Sequence, residues 1–106
     1  MLPSENIKKK IVSLAKKNTF FLPHATKQMS RSERMITTDE IRDAVLHGEI
    51  IEEYSDEKKG ESFLIHHSGQ NSAIHVVCAP KIEYLAVIAA YKPAPDQWSS
   101  DFKVRK

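Results

Sequence analysis

Histidines and cations recur in this chain at spacings that suit phosphate chemistry. His24, Lys27, Gln28 and Arg31 fall at i, i+3, i+4 and i+7, so on a helix they form one polar stripe. Metal-free RNA cleavage needs a base for the 2′-hydroxyl, an acid for the leaving oxygen and cations facing the charge on phosphorus. A histidine titrates near neutrality, and an arginine fork matches phosphate oxygens. The residues of those types are His24, Lys27, Arg31 or Arg34, and His75. Tyr91 and Trp98 could stack on bases.

Each candidate also has a structural reading. His24 can be a helix-start residue bonded to backbone, and His75, in a strand run, a satisfied core histidine. Tyr54, Tyr91 and Trp98 can pack over the core. His66 and His67 are adjacent, so on a strand they point to opposite faces and cannot chelate one ion together. His47 complements the end of a helix. No metal or cofactor is expected. One cysteine cannot build the usual zinc sets, no HExxH pattern occurs, and three scattered glycines make no phosphate-cradling loop. The acids from Glu49 to Glu61 read as a solvated strand edge.

The elements that must position these residues change period along the chain. Ile7, Ile11, Leu14 and Ala15 lie at helical spacing after Ser4, which predicts a Lys-rich helix over 4–17. Thr19 to Leu22 reads as a turn or brief extended piece, and Pro23 opens a second helix expected over 23–33. Thr37 and Glu40 form a capping box ahead of a helix over 38–47, which Gly48 ends. From Glu49 onward come β-rich runs, Glu49 to Tyr54, Ser62 to His67, Ala73 to Pro80 and Tyr84 to Lys92, separated by short turns. The fold predicted is α+β, with two or three N-terminal helices packed on a four-stranded antiparallel sheet. Residues 1–98 read as one domain and 99–106 as a loose basic tail.

Composition narrows the setting. The single cysteine, Cys78, sits in an apolar run and reads as a buried hydrophobe, so no oxidising compartment is implied. The N-terminus lacks the apolar stretch of a secretory signal, and no apolar run approaches the roughly 20 residues that span a bilayer. A cytoplasmic protein without a membrane partner is expected. Net charge is +2, divided as +6 over residues 1–35, −6 over 36–61 and +2 over 62–106. The basic first third can attract a polyanion such as RNA, or simply be a solvated face.

Several spaced features carry a family resemblance: His24-Ala25, Met29, Arg34 with Ile36-Thr37, Gly48 to Glu52 with Tyr54, His75 to Val77 with Ala79-Pro80, and Tyr91-Lys92-Pro93 followed by Trp98. Over residues 20–98 the chain resembles the small prokaryotic proteins grouped as domain of unknown function family 4258. That group resembles BrnT-type and RelE-type toxins in its helix-then-sheet order. The resemblance implies a type II toxin, a metal-independent endoribonuclease of the mRNA-interferase kind. It also implies a cognate antitoxin of zinc-finger or helical type. The expected catalytic residues are His24, Arg34, His75 and Tyr91, with Lys27, Gln28, Arg31, Lys92 and Trp98 on the RNA. Gln28 stands where relatives often carry a basic residue, and Arg31 and Arg34 compete for one family position. The alternative is a noncatalytic module that binds RNA or a protein; a homodimer is compatible with either.

Overall fold

The structure is a computed structural model that describes residues 3–30, 35–56, 60–68 and 73–106. Among these lie three helices, α1 (Pro3–Lys17), α2 (Pro23–Met29) and α3 (Thr38–His47). The strands are β1 (Thr19–Phe21), β2 (Glu49–Asp56), β3 (Gly60–Ser68), β4 (Ala73–Pro80) and β5 (Leu85–Tyr91). The expected α+β class holds, but the sheet is five-stranded and mixed, in the order β1-β5-β4-β3-β2. No described helix is long and apolar enough to cross a membrane.

The correction to a four-stranded antiparallel sheet comes from Thr19–Phe21, which pairs parallel with Leu85–Val87. Backbone bonds at both ends lock this short ladder: Leu85 donates to Asn18 O at 2.9 Å and Leu22 to Val87 O at 3.0 Å. Phe21 packs against the core from it. Pro23 then starts α2, so β1 stops while β5 runs on. The Ala90 N–H donates instead to the Gln28 side-chain oxygen at 2.9 Å. Gln28 thus takes the place of a strand at that edge, and the donor is not left orphaned.

The other three strand pairs are antiparallel, as expected, and period-2 alternation sorts their side chains. Phe63, Ile65, Ile74, Val76, Cys78, Leu85 and Val87 face the helices and join Ile11, Leu14, Ala25, Met29, Ile41, Ala44 and Val45 in one buried core. Cys78 is fully buried, and burial pushes its thiol up to about 12, so it is inert packing. Bulges let the apolar residues keep facing inward where strict alternation fails. The β2–β3 register shifts between Ile50 and Glu52, and the β4–β5 register skips Ile88.

The capping box of α3 forms as read: the Glu40 N–H donates to Thr37 Oγ1 and the Thr37 N–H to Glu40 Oε1, each at 3.1 Å. Gly48 ends α3 for a steric reason. A Cβ there would lie 2.5 Å from Ala44 O, 2.6 Å from His66 O and 2.7 Å from Ile65 Cγ2. Only glycine lets the helix end press onto β3. α2 ends at Met29, and Arg31 and Arg34 lie outside the described residues.

Residues 98–106 do not hang free. Trp98 bridges to Arg105, Ser99 donates to Val104 O at 2.7 Å, and Lys106 donates to Gln97 O at 3.0 Å. This hairpin-like segment folds over the sheet face opposite the helices. Lys103 pairs with Glu49 at 2.6 Å and Arg105 with Glu52 at 2.8 Å. A basic tail is drawn back because β2 carries the acids.

Candidate functional site

The face away from the helices carries a cross-strand row in which His66 pairs with His75 and His75 with Tyr91. Trp98, almost fully buried, stands edge-on to His75 with ring centroids 4.5 Å apart, and the Arg105 guanidinium lies 4.6 Å over the Trp98 ring. The Nε2–H of His75 donates to the Phe102 carbonyl at 2.8 Å and lies 3.3 Å from Nδ1 of His66. A carbonyl only accepts, which fixes the proton on Nε2. The other ring nitrogen, Nδ1, is buried without a hydrogen-bond partner. Burial pushes His75 down to about 4, against the upward pull of the Phe102 bond. It is therefore neutral at pH 7 and shut off from solvent.

Beside this cluster, Arg105 clasps both oxygens of Glu52 at 2.8 and 3.1 Å, and the Tyr54 hydroxyl donates to the same carboxylate. Burial alone would push Glu52 upward. The bonds from Arg105 and Tyr54 outweigh it and hold the carboxyl below its ordinary value. An ionised carboxylate occupied on both oxygens is an anchor for the tail and a weak base.

A second histidine pair lies at the open end of the sheet, where α3 runs into β2. His47, Gly48, Glu49, His66, His67, Ser68 and Lys103 line a depression of about 240 Å³. The rings of His47 and His67 are 6.5 Å apart. His47 is exposed on the last turn of α3, and His67 is half-buried on β3. They meet because Gly48 lets α3 end against β3. His66 backs the pocket, its Nε2 3.3 Å from Ser68 Oγ. Burial, then the nearby Lys103 charge, lowers its pKa.

Of the residues expected from the sequence, the structure brings together His75, Tyr91 and Trp98, with 5.5 Å between the His75 and Tyr91 centroids. His24 is exposed on α2, whose Ala25 and Met29 enter the core on the far side of the sheet from His75. No described ring contact or hydrogen bond joins the two. Lys27 is exposed on the same helix, Lys92 is half-buried after β5, and Gln28 holds the β5 edge. Sequence reasoning treated His47 and His67 singly. The signal available was that a helix-terminal histidine, a following glycine and an adjacent strand place the two side by side once β2 and β3 pair. Among the described residues, no three His, Cys, Asp or Glu side chains converge as a metal ion would require.

A helical layer on one face, a tail-sealed opposite face and an open His-lined end define a small α+β domain. The model of the family described as Domain of unknown function (DUF4258) matches residues 21–92, and the chain belongs to that family. α1 and the Trp98–Arg105 segment lie outside the match. No curated protein and no solved structure matches the chain.

Proposed function

We propose that this protein is a metal-independent endoribonuclease of the RelE/BrnT toxin type, held in check by a cognate antitoxin, with its chemistry in the pocket between His47 and His67. The observation that carries this reading is the pair of rings 6.5 Å apart over an open pocket that also holds Lys103 and Ser68. A phosphodiester between such rings is within hydrogen-bond reach, about 3 Å, of a nitrogen on either side. One histidine takes the 2′-hydroxyl proton as the 2′-oxygen bonds to phosphorus. The other gives a proton to the departing 5′-oxygen as its bond to phosphorus breaks. Lys103, paired with Glu49 at 2.6 Å in the free protein, exchanges that carboxylate for the charge that develops on the phosphoryl oxygens. The products are a 2′,3′-cyclic phosphate and a free 5′-hydroxyl. This site replaces the His24–His75 arrangement, whose members lie on opposite sides of the sheet.

The test is cleavage of a defined RNA in EDTA, with analysis of the product ends. Wild-type protein is expected to leave 2′,3′-cyclic ends. His47→Ala and His67→Ala should each lower the rate by about 10²- to 10⁴-fold, the usual worth of general acid–base catalysis. His24→Ala should leave it unchanged, and all three variants should stay within about 1 kcal/mol of wild-type stability. If wild type cuts nothing, the noncatalytic binding module is the correct reading; if wild type cuts and both pocket variants cut equally well, the chemistry lies outside this pocket.

A further inference from the structure

The lysines of α1 and the end of α3 enclose a groove of about 580 Å³, lined by Lys8, Lys9, Val12, Ser13, Lys16 and Leu46. A smaller recess of about 360 Å³ continues it past Lys17 and Arg42. The two linings together hold five cations, of which Lys17 pairs with Glu83 at 2.5 Å and Arg42 lies 3.8 Å from Asp39, so the rim charge rests chiefly on Lys9 and Lys16. The floor is aliphatic: Val12 and Leu46 are half-exposed although their neighbours Ile11 and Val45 are buried. Lys8 stiffens the groove, because its ammonium donates to Gly48 O at 2.5 Å and to Leu46 O at 3.4 Å, tying α1 to the end of α3. These carbonyls are the orphan acceptors of the α3 terminus, so the bond also suits the helix dipole.

We infer that this groove is a docking site for an acidic amphipathic helix of a partner protein. Lys9, Val12 and Lys16 lie on two successive turns, spanning about 10 Å, the length over which a helix presents anchors at i, i+3 or i+4 and i+7. An aliphatic floor rewards a leucine- or isoleucine-sized side chain, and the cationic rim selects Asp or Glu on either side of it. A nucleic-acid strand fits less well. The lining has no aromatic ring on which a base could stack. The inference stands apart from RNA cleavage and is tested without it.

Two probes decide it with the whole chain: a synthetic 18-residue helix with a leucine stripe flanked by glutamates, and a 12-nucleotide oligo(U). Binding is followed by fluorescence anisotropy and by backbone amide shifts in two-dimensional NMR. The peptide is expected to bind saturably, with shifts confined to α1 and the end of α3. Lys9→Glu with Lys16→Glu, both exposed positions, should weaken the peptide at least about tenfold, the equivalent of 1.4 kcal/mol. Leu46→Ser should weaken it about fivefold or more while leaving oligo(U) unchanged. The proposal fails if the peptide does not bind or shifts residues elsewhere. It also fails if the charge reversals weaken only oligo(U), which would make the groove an RNA surface.

Discussion

His66 and His67 are neighbours in sequence, yet they belong to different pairs with opposite fates. His66 turns to the face under the tail, where it meets His75 with ring centroids 5.4 Å apart and both residues are buried. His67 turns the other way and meets His47 at 6.5 Å over an open pocket. The period-2 alternation of β3 makes this division. In the buried pair, Trp98, Phe102 and Arg105 exclude water, and His75 is held neutral as part of the structure. In the open pair the rings keep access to solvent. The enclosure around each histidine, more than the residue type, decides whether it is part of the packing or open to a ligand.

Replacing Trp98 breaks the sealed side most severely. Its indole is 2% exposed, packs edge-on to His75 and supports Arg105, so Trp98→Ala removes a large buried ring and opens a cavity over the row. A loss of about 3–5 kcal/mol is expected in urea or thermal unfolding. RNA cleavage by the fraction that remains folded should stay within about twofold of wild type, because the open pocket does not use Trp98. A larger fall in that specific activity would show that the two regions are one site.

Acid separates the regions next. The folded-state pKa of His75 lies at about 4, below the ordinary value of 6.5. Between those values the unfolded chain binds more protons than the folded one, so stability rises with pH across this window. The contribution is complete above about pH 6.5 and is lost as pH falls toward 4. It amounts to on the order of 2–3 kcal/mol. His66 shifts in the same direction through burial. Denaturation at pH 7 and pH 4.5 should show that loss in wild type and a clearly smaller one in His75→Asn. Equal losses in both proteins would mean that the buried row is not what acid attacks.

Much of this architecture can be read from local signals, and the failures share one cause. Thr37 with Glu40 and the terminal Gly48 mark α3 correctly because capping is a matter of three or four adjacent residues. The runs that become β2 to β5 announce themselves by β-rich composition between short turns. β1 does not, because three residues carry too little pattern and its partner lies more than sixty positions away, Thr19 opposite Leu85. The segment after Trp98 reads as loose because its polar residues find their partners on β2, in Glu49 and Glu52. The His47–His67 pair was missed likewise. His24, Lys27 and Gln28 lie on one short helix whose spacing is visible locally, whereas His47 and His67 meet only after β2 pairs with β3.

Gly48 gives the smallest effect on stability and the sharpest link between fold and pocket. Its φ of −78° suits any residue, so alanine meets no backbone strain there. The obstacle is space, since the new Cβ would press on Ala44 O, His66 O and the Ile65 side chain, all within 2.7 Å. The end of α3 must then lift from β3. Overpacking of this kind costs about 1–3 kcal/mol, which unfolding curves of Gly48→Ala should show. The lift falls on the residue that follows His47, so the His47–His67 spacing widens, whereas the row under Trp98 is pressed only through the His66 carbonyl. Gly48→Ala should therefore lose about tenfold or more in cleavage per folded molecule, although it is the milder lesion in stability. If it cuts RNA at the wild-type rate while Trp98→Ala does not, the chemistry belongs to the sealed face and the roles of the two pairs must be exchanged.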